Sequence, residues 1–446
     1  MADGSLDELL AQPISVLVVG FGVANRAVAA SLVRRGHDVV AIDDEAGDDI
    51  VAAASDLGIR LVAQPADIEP LVAAAELVVP TPGLPESHAV FSVAADLGVP
   101  LASEFDLAAV WDSRPVVAIT GTNGKTTTVE LAVAALGAGG RVAVAAGNTD
   151  IPLVTAIDDP TIDVFVVEAS SFRLARAHRF RPQVGTWLNF APDHLDVHRD
   201  LESYEAAKAR VFELVAPGGT VVANVMDPVV MRNVPADTTC VTFGHGGDYH
   251  VVDEELVGPD GAFGKTTDLW RDLPHDVEDT LAVAASLAPV GISAETVVRA
   301  AASFTGLAHR ISPVGEIDGQ TYFDDSKATS PHATLTAVRG FDRIVLIAGG
   351  RNKGLDLSGL AEIASRLEAV VAIGDAAAEI EAAFADLVPV VHAADMDAAV
   401  ASARTLSAGR VPVLLSPACA SFDWYRSYGE RGDDFARAVA AVGEQS

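Results

Sequence analysis

Val116-Val117-Ala118-Ile119-Thr120-Gly121-Thr122-Asn123-Gly124-Lys125-Thr126-Thr127 joins a short apolar run to a glycine-bracketed turn and then to a helix-compatible stretch. A buried strand that ends in a glycine turn and restarts as a helix is the local unit of a parallel α/β sheet. Its glycines let successive backbone N–H groups face phosphate oxygens, and Lys125 extends toward terminal phosphates. Thr126 is placed to hold Mg²⁺. The spacing is GxxGKT rather than GxxxxGKT, so the strand and helix on either side carry much of the reading. Phe263-Gly264-Lys265-Thr266-Thr267 repeats GKTT with no apolar strand before it. Lys265 therefore reads as a surface lysine at a turn.

Working outward, the strand-helix alternation begins again on both sides. Residues 14–20 (ISVLVVG), a helical stretch from Ala24 to Arg35 and residues 38–44 (DVVAIDD) form one set. Residues 319–329 (GQTYFDDSKAT), 343–350 (RIVLIAGG), 369–374 (AVVAIG) and 411–421 (VPVLLSPACAS) form another, separated by helical segments. Apolar strands spaced by amphipathic stretches predict α/β architecture in three domains, over residues 1–110, 111–310 and 311–446. The first and last are expected to be Rossmann-like and the central one to carry a mostly parallel sheet.

The first domain has its own glycine turn, Gly20-Phe21-Gly22-Val23-Ala24-Asn25, with Asp43 and Asp44 after the next strand. Asn25 replaces the third glycine of a dinucleotide fingerprint, so the turn is weak evidence for NAD. It is better evidence for a diphosphate on a helix N-terminus, completed by a second turn at Thr81-Pro82-Gly83.

The formal charge of −32 over 446 residues excludes a broad nucleic-acid surface, which needs a basic stripe. Anionic substrates must then enter clefts made positive by a few basic side chains. Lysine is the rarer choice among 30 basic residues, and four of the five lysines, Lys125, Lys208, Lys327 and Lys353, lie in short motifs suited to phosphate or carboxylate. No apolar run is long enough to span a membrane, and MADGSLDELLAQP lacks the features of a secretory signal, so a cytoplasmic protein is expected. Cys240 and Cys419 imply no disulfide framework, and Cys419 reads as a buried small hydrophobe.

Residues 163–172 (DVFVVEASSF) carry Glu168 off the end of a buried strand, where ligands gather in parallel sheets. Glu168 reads either as a Mg²⁺ ligand or as a capped loop acid. Asp193, His194, Asp196 and His198 cluster after another strand; zinc ligation is one reading and surface-turn residues the other, since no regular helix spacing is present. Lys208, in LESYEAAKARVF, reads from its helix alone as an exposed salt-bridging residue.

Taken in order, GTNGKTT, EASSF, NFAPDHLD, YEAAKARVF, FTGLAHR, DDSKATSPHAT, GGRNKG and SPACASFDWYRSYGERGDDF make a chain that resembles the Mur ligases from about residue 14 to 440. These are ATP-dependent amide-forming enzymes of peptidoglycan precursor synthesis, and the similarity is greatest to the branch that adds D-glutamate to UDP-N-acetylmuramoyl-L-alanine. The resemblance implies an amino-terminal UDP-binding domain, a central phosphate-loop ATPase domain and a carboxy-terminal domain for glutamate. It implies ATP and two Mg²⁺ ions as cofactors, no nucleic-acid or membrane partner, and a monomer. Gly121, Thr122, Asn123, Gly124, Lys125, Thr126 and Thr127 match the ATP-phosphate loop, with Asp279 near adenine. Asn148 matches an asparagine beside the reacting groups. Thr126, Glu168 and His194 match metal positions, and Lys208 matches a lysine that CO₂ carbamylates into an anionic metal partner. Arg310, Asp325 and Lys327 match residues around the phosphates and the acyl intermediate. Thr329, Lys353, Ser421, Phe422 and Tyr428 match the glutamate pocket. Gly20, Gly22, Val23, Ala24, Asn25, Asp43, Asp44, Thr81, Pro82 and Gly83 resemble the UDP site.

The chain departs from the family at three places. Arg173 follows SSF where glutamine is common, either to serve an acidic product or through this chain's preference for arginine. Asp276 and Asp279 stand where asparagines are usual, and an ionised Asp279 can only accept hydrogen bonds from adenine. Phe422 and Tyr428 differ from common glutamate-pocket residues but retain apolar bulk. The nearest alternatives are a ligase for L-glutamate or another amino acid and a non-catalytic UDP-nucleotide-binding protein; intact Lys125, Glu168, His194, Lys208 and Lys327 oppose the latter.

Overall fold

The computed structural model describes residues 5–194, 197–407 and 409–443. Among them the chain forms three α/β sheets and one small antiparallel sheet. The apolar runs are strands because each is flanked by helices that bury it. Val16, Leu17, Val18 and Val19 are all buried, and so are Val117, Ala118 and Ile119. Continuous apolar runs of this kind mark strands covered on both faces.

The amino-terminal sheet runs in the order Arg60–Ala63, Asp38–Asp43, Ser15–Val19, Leu77–Pro80, and every pairing is parallel. Its strand order reverses at Ser15–Val19, so the Gly20 turn opens at the crevice where such sheets take ligands. Gly20 has φ of 77°, and a Cβ there would lie 2.6 Å from Thr81 Cγ2. Only glycine allows the two turns to close on each other.

The central sheet has the order Thr239–Phe243, Thr220–Asn224, Val184–Trp187, Val116–Thr120, Val164–Glu168, Ala143–Gly147, again all parallel. The helix Lys125–Ala138 leaves the end of Val116–Thr120. Val184–Trp187 and Val164–Glu168 lie on either side of that strand, so Glu168 and the Asn189 loop emerge beside the glycine turn. His250–Val252, Glu255–Gly258 and Gly261–Lys265 form the antiparallel sheet. Lys265 is exposed at the end of its strand, just before a short turn of 3₁₀ helix at Thr266–Asp268.

The carboxy-terminal sheet pairs Ser312–Ile317 antiparallel with Gln320–Asp324 and then continues in parallel through Val413–Ala418, Ile344–Gly349, Leu367–Ile373 and Val390–His392. By contacts the chain divides into two compact units: residues 1–190, 194–269 and 278–304 hold the first two α/β sheets, and residues 191–193, 270–277 and 305–446 hold the third. The three expected α/β sheets are thus present. Cys419 is buried as expected, and burial pushes its thiol up to about 12. No helix among the described residues is long and apolar enough to cross a membrane.

Candidate functional site

In the first unit the glycine turn is held from outside by Asn189. Its Oδ1 accepts from the amides of Thr122 and Asn123 at 3.1 and 2.9 Å, and its Nδ2 donates to Asn123 O at 3.2 Å. Thr122 Oγ1 meets the Tyr204 hydroxyl at 3.2 Å. The helix that begins at Lys125 has Gly124 as its N-cap and no side-chain cap. A helix N-terminus without a capping side chain presents its first N–H groups to an anion. Lys125 Nζ folds back onto the carbonyls of Gly121 and Thr122 at 2.8 and 3.0 Å. Thr126 occupies the first turn, and Thr127 is buried.

Lys208 is buried, contrary to the exposed role its helix suggested. Tyr204, Ala207, Lys208, Val211 and Phe212 are the buried positions on one stripe of the helix Leu201–Glu213. That is the spacing of a core-facing helix, and Lys208 belongs to the stripe. Its Nζ lies 4.8 Å from the Tyr204 ring and donates to Gly121 O at 2.6 Å. Tyr204 and Asn189, which the motifs YEAAKARVF and NFAPDHLD contain without singling out, thus pack directly on the glycine turn.

Glu168 closes the other side. Asn148 Nδ2 donates to Glu168 Oε1 at 2.9 Å, and the Asn148 amide donates to Glu168 O at 2.9 Å. Glu168 Oε2 is buried and has no hydrogen-bond partner among the described residues. A buried carboxylate oxygen left in this state suits a cation. His194 has φ of 56° and packs edge-on against Phe172, at 4.8 Å between ring centroids. His198 Nε2 meets Ser171 Oγ at 2.9 Å, and its ring stacks on Phe172. Asp196 lies outside the described residues. Among those described, no three His, Cys, Asp or Glu side chains form a metal-binding group. Asp279 is buried against the same helix, where Thr128 Oγ1 donates to its Oδ1 at 3.1 Å.

Arg173 is buried in an ion pair with Glu104, itself buried. Its guanidinium is thus paired with Glu104 beside a small cavity that Pro82 and Arg176 also line. Burial raises the pKa of Glu104, and the facing Arg173 opposes that rise.

In the amino-terminal sheet, Asn25 is fully buried, and its Nδ2 donates to the carbonyls of Val19, Gly20 and Val79 at 3.1, 2.9 and 3.2 Å. It ties two strands to the glycine turn. Asp43 accepts from the amides of Phe21 and Glu45 at 2.6 and 2.9 Å. Asp44 meets His88 Nε2 at 3.2 Å. A cavity of about 270 Å³, lined by Gly20, Asp43, Asp44, Glu45 and Leu84 among others, opens between these turns. Gly22, Val23 and Ala24 enter the helix Val23–Arg34, and Pro82 and Gly83 follow Thr81 past the strand Leu77–Pro80.

In the second unit, Arg431 is buried and draws two ligand-type loops together. Its Nε donates to Ser326 Oγ at 2.9 Å, Nη2 to Ser326 O at 2.8 Å and Nη1 to Cys419 O at 3.1 Å. Ser326 Oγ in turn donates to Tyr428 O at 2.8 Å, and Lys327 Nζ lies 5.5 Å from the Tyr428 ring. Ser421 is buried next to this junction, while Phe422 and Tyr428 are 59% and 38% exposed. The loop bearing Lys353 is bridged to the same place, since Arg351 N donates to Ala420 O at 2.8 Å. Gly350, with φ of 127°, makes that approach feasible, because a Cβ there would stand 2.3 Å from Ala420 O. Lys353 is exposed and Thr329 half-buried. Asp325 is buried and receives Ser416 Oγ at 2.7 Å; burial raises its pKa to about 7 against the opposing charge of Arg310.

Residues 119–260 match the Mur ligase middle domain, and residues 309–419 match the Mur ligase, glutamate ligase domain. A UDP-N-acetylmuramoylalanine–D-glutamate ligase of Frankia casuarinae is 38% identical across 96% of this chain and 94% of its own length. The protein of the same name from Streptomyces avermitilis is 37% identical over 96% of this chain and 98% of its own. The chain belongs to the Mur ligase family. A solved MurF ligase from Thermotoga maritima in complex with ADP shares the fold of this Mur ligase, with a TM-score of 0.62 at 17% identity, covering 98% of this chain and 97% of that one. The Mur ligase middle domain match spans the glycine turn, Asn148, Glu168, Asn189 and Lys208, and the glutamate ligase domain match spans Arg310, Asp325, Lys327 and Lys353.

Proposed function

We propose that this Mur ligase uses ATP to join D-glutamate to UDP-N-acetylmuramoyl-L-alanine, giving ADP and phosphate in peptidoglycan precursor synthesis. The observation that carries the reading is identity of 35–38% to ligases of that name over nearly the whole chain. We assign residues 1–110 to UDP-substrate binding, 111–310 to a phosphate-loop ATPase domain and 311–446 to glutamate binding, in a cytoplasmic monomer.

A carboxylate is a poor electrophile, so the substrate carboxylate first takes the γ-phosphoryl group of ATP to become an acyl phosphate. Lys125 and the amides at the start of its helix hold the polyphosphate and stabilise charge that grows during transfer. Glu168, with its unpartnered oxygen, the Thr126 hydroxyl and His194 are the residues that would hold Mg²⁺, two ions in all. Mg²⁺, when bound, supplies positive charge to the phosphate oxygens. Asn148 fixes the Glu168 carboxylate through its amide. Carbamylation of Lys208 would replace an ammonium by an anion next to this set. The uncharged amine of glutamate then attacks the acyl carbon, and the tetrahedral intermediate expels phosphate while Arg310 and Lys327 balance its charge. Lys353 attracts a glutamate carboxylate, and the Ser421 hydroxyl donates to it. Asp325 serves the nucleotide ribose, Asp279 the adenine, and Thr329, Phe422 and Tyr428 shape the glutamate pocket.

Purified chain supplied with UDP-N-acetylmuramoyl-L-alanine, D-glutamate and MgATP should release phosphate only when all three are present. Equal release with L-glutamate would overturn the stereochemical assignment, and no release beside an active control ligase would overturn the function.

A further inference from the structure

Arg310 stands between two residues whose backbones are left-handed, His309 with φ of 61° and Ile311 with φ of 49°. Neither is glycine, and Ile311 is β-branched, so this stretch of chain is strained and persists only because its surroundings enforce it. The enforcing contacts are visible. Arg271 Nη1 donates to the carbonyls of Arg310 and Ile311, at 3.1 and 2.6 Å. The rest of its guanidinium is fixed by Asp276: Nε to Oδ2 at 2.7 Å and Nη2 to Oδ1 at 2.9 Å. Asp276 is almost wholly buried, at 1% exposure. On the other side, His309 Nδ1 meets Asp324 Oδ2 at 2.6 Å, and His309 O accepts from the Lys327 amide at 3.1 Å.

We propose that Arg271, oriented by Asp276, is a positioning residue that clamps the main chain at residues 310 and 311 and so aims the Arg310 guanidinium. The planar fork explains why arginine is used. Two donors fix its plane on the carboxylate, and the third nitrogen then points at both carbonyls; a lysine ammonium cannot make the bidentate half of this arrangement. The pairing also accounts for Asp276 where the family commonly has asparagine. Its two oxygens are committed to Arg271, so its work is to hold a cation and not to read adenine. Arg310 Nε is buried with no hydrogen-bond partner among the described residues, so main-chain placement acts together with the charge of nearby Asp325 in setting its direction.

The inference rests on the ligase reading for what Arg310 does, and the test separates the two. Steady-state kinetics and calorimetric binding of a non-hydrolysable ATP analogue are measured for wild type, Arg271→Met, Arg310→Met and the double variant. Arg271→Met is expected to lower kcat by about 10- to 100-fold, the scale of a displaced catalytic group. Its KM for the UDP-substrate should stay within about twofold, since that substrate is held by other residues. In the Arg310→Met background, Arg271→Met should cost nothing further in kcat or in analogue affinity. Losses that multiply in the double variant, or a folded Arg271→Met with wild-type kcat, would overturn the clamp. If Arg271→Met melts below the assay temperature, Asp276→Asn takes its place in the same cycle, because it preserves the buried volume. A wild-type chain without turnover would count against the ligase reading alone, because the binding cycle still reads the coupling between Arg271 and Arg310.

Discussion

The ammonium groups of Lys125 and Lys208 donate to one oxygen, the carbonyl of Gly121, at 2.8 and 2.6 Å. Two cations on one acceptor repel each other, and Lys208 is buried where water cannot screen them. Conversion of Lys208 into a carbamate would change that repulsion into attraction and free Lys125 to turn toward phosphate. Lys208→Ala is expected to lower turnover on the order of a hundredfold, the scale of one lost electrostatic partner. Binding of the UDP-substrate should be unchanged, and acetate or formate should restore part of the rate. Wild-type turnover in the unsupplemented variant would remove the lysine from the mechanism.

Glu168→Gln keeps the shape of the side chain and its link to Asn148 while removing the charge on the unpartnered oxygen. The concentration of Mg²⁺ needed for half-maximal activity should rise about tenfold or more, in line with loss of one carboxylate ligand. A Mg²⁺ titration of phosphate release measures it, and an unmoved midpoint would assign Glu168 to packing.

Asp325 binds its proton more tightly in the folded chain than in the unfolded one, with its pKa raised from 3.8 to about 7 by burial. Its contribution to stability is therefore full below the ordinary carboxylate range and is lost as pH rises through about 7. Asp325→Asn should leave melting near pH 4 almost unchanged and should stabilise the ligand-free chain at pH 8 by on the order of a few kcal/mol. Melting curves across that pH range for both proteins decide it; parallel curves would contradict the assignment.

Gly20→Ala places a methyl group against Thr81 on a left-handed backbone, and a loss of about 1–3 kcal/mol is expected in urea unfolding. Thr81→Ser removes the nearest atom, Cγ2, and should recover part of that loss in the double variant. Equal losses with and without Thr81→Ser would show that backbone strain alone is responsible.

Arg173→Gln introduces the residue common in the family but leaves Glu104 buried without its cation. The expected cost is about 3–5 kcal/mol, and adding Glu104→Gln should return most of it. Chemical denaturation of the single and double variants reads both numbers.

The strands and the three-sheet plan were legible because fully covered strands are written as unbroken apolar runs. The site was legible in part. Lys208 carried a signal in its spacing from Tyr204, Val211 and Phe212, which is the stripe of a buried face; its charge hid that. Asn189 lay inside a motif, but its grip on the amides of Thr122 and Asn123 depends on two neighbouring parallel strands ending at the same height. The pairing of Arg271 with Asp276 spans a proline-led helix start, a spacing that no helical or strand period marks. Asn25 and Asp43 sat where a nucleotide turn predicts contacts, yet their hydrogen bonds go to main-chain groups of the turn and of the strands beside it, which sequence patterns do not distinguish from ligand contacts.

Arg431 has a consequence for biosynthesis. Chains emerge amino end first, at about 5–20 residues per second. The loops at Ser326 and Cys419 leave the ribosome before the helix Tyr428–Gly443 that carries this guanidinium. The sheet beneath them can assemble early, but the two loops have no common anchor until that last helix folds back. During synthesis the junction of these two loops therefore forms later than the strands that lead into them, because the guanidinium that joins them is made after both.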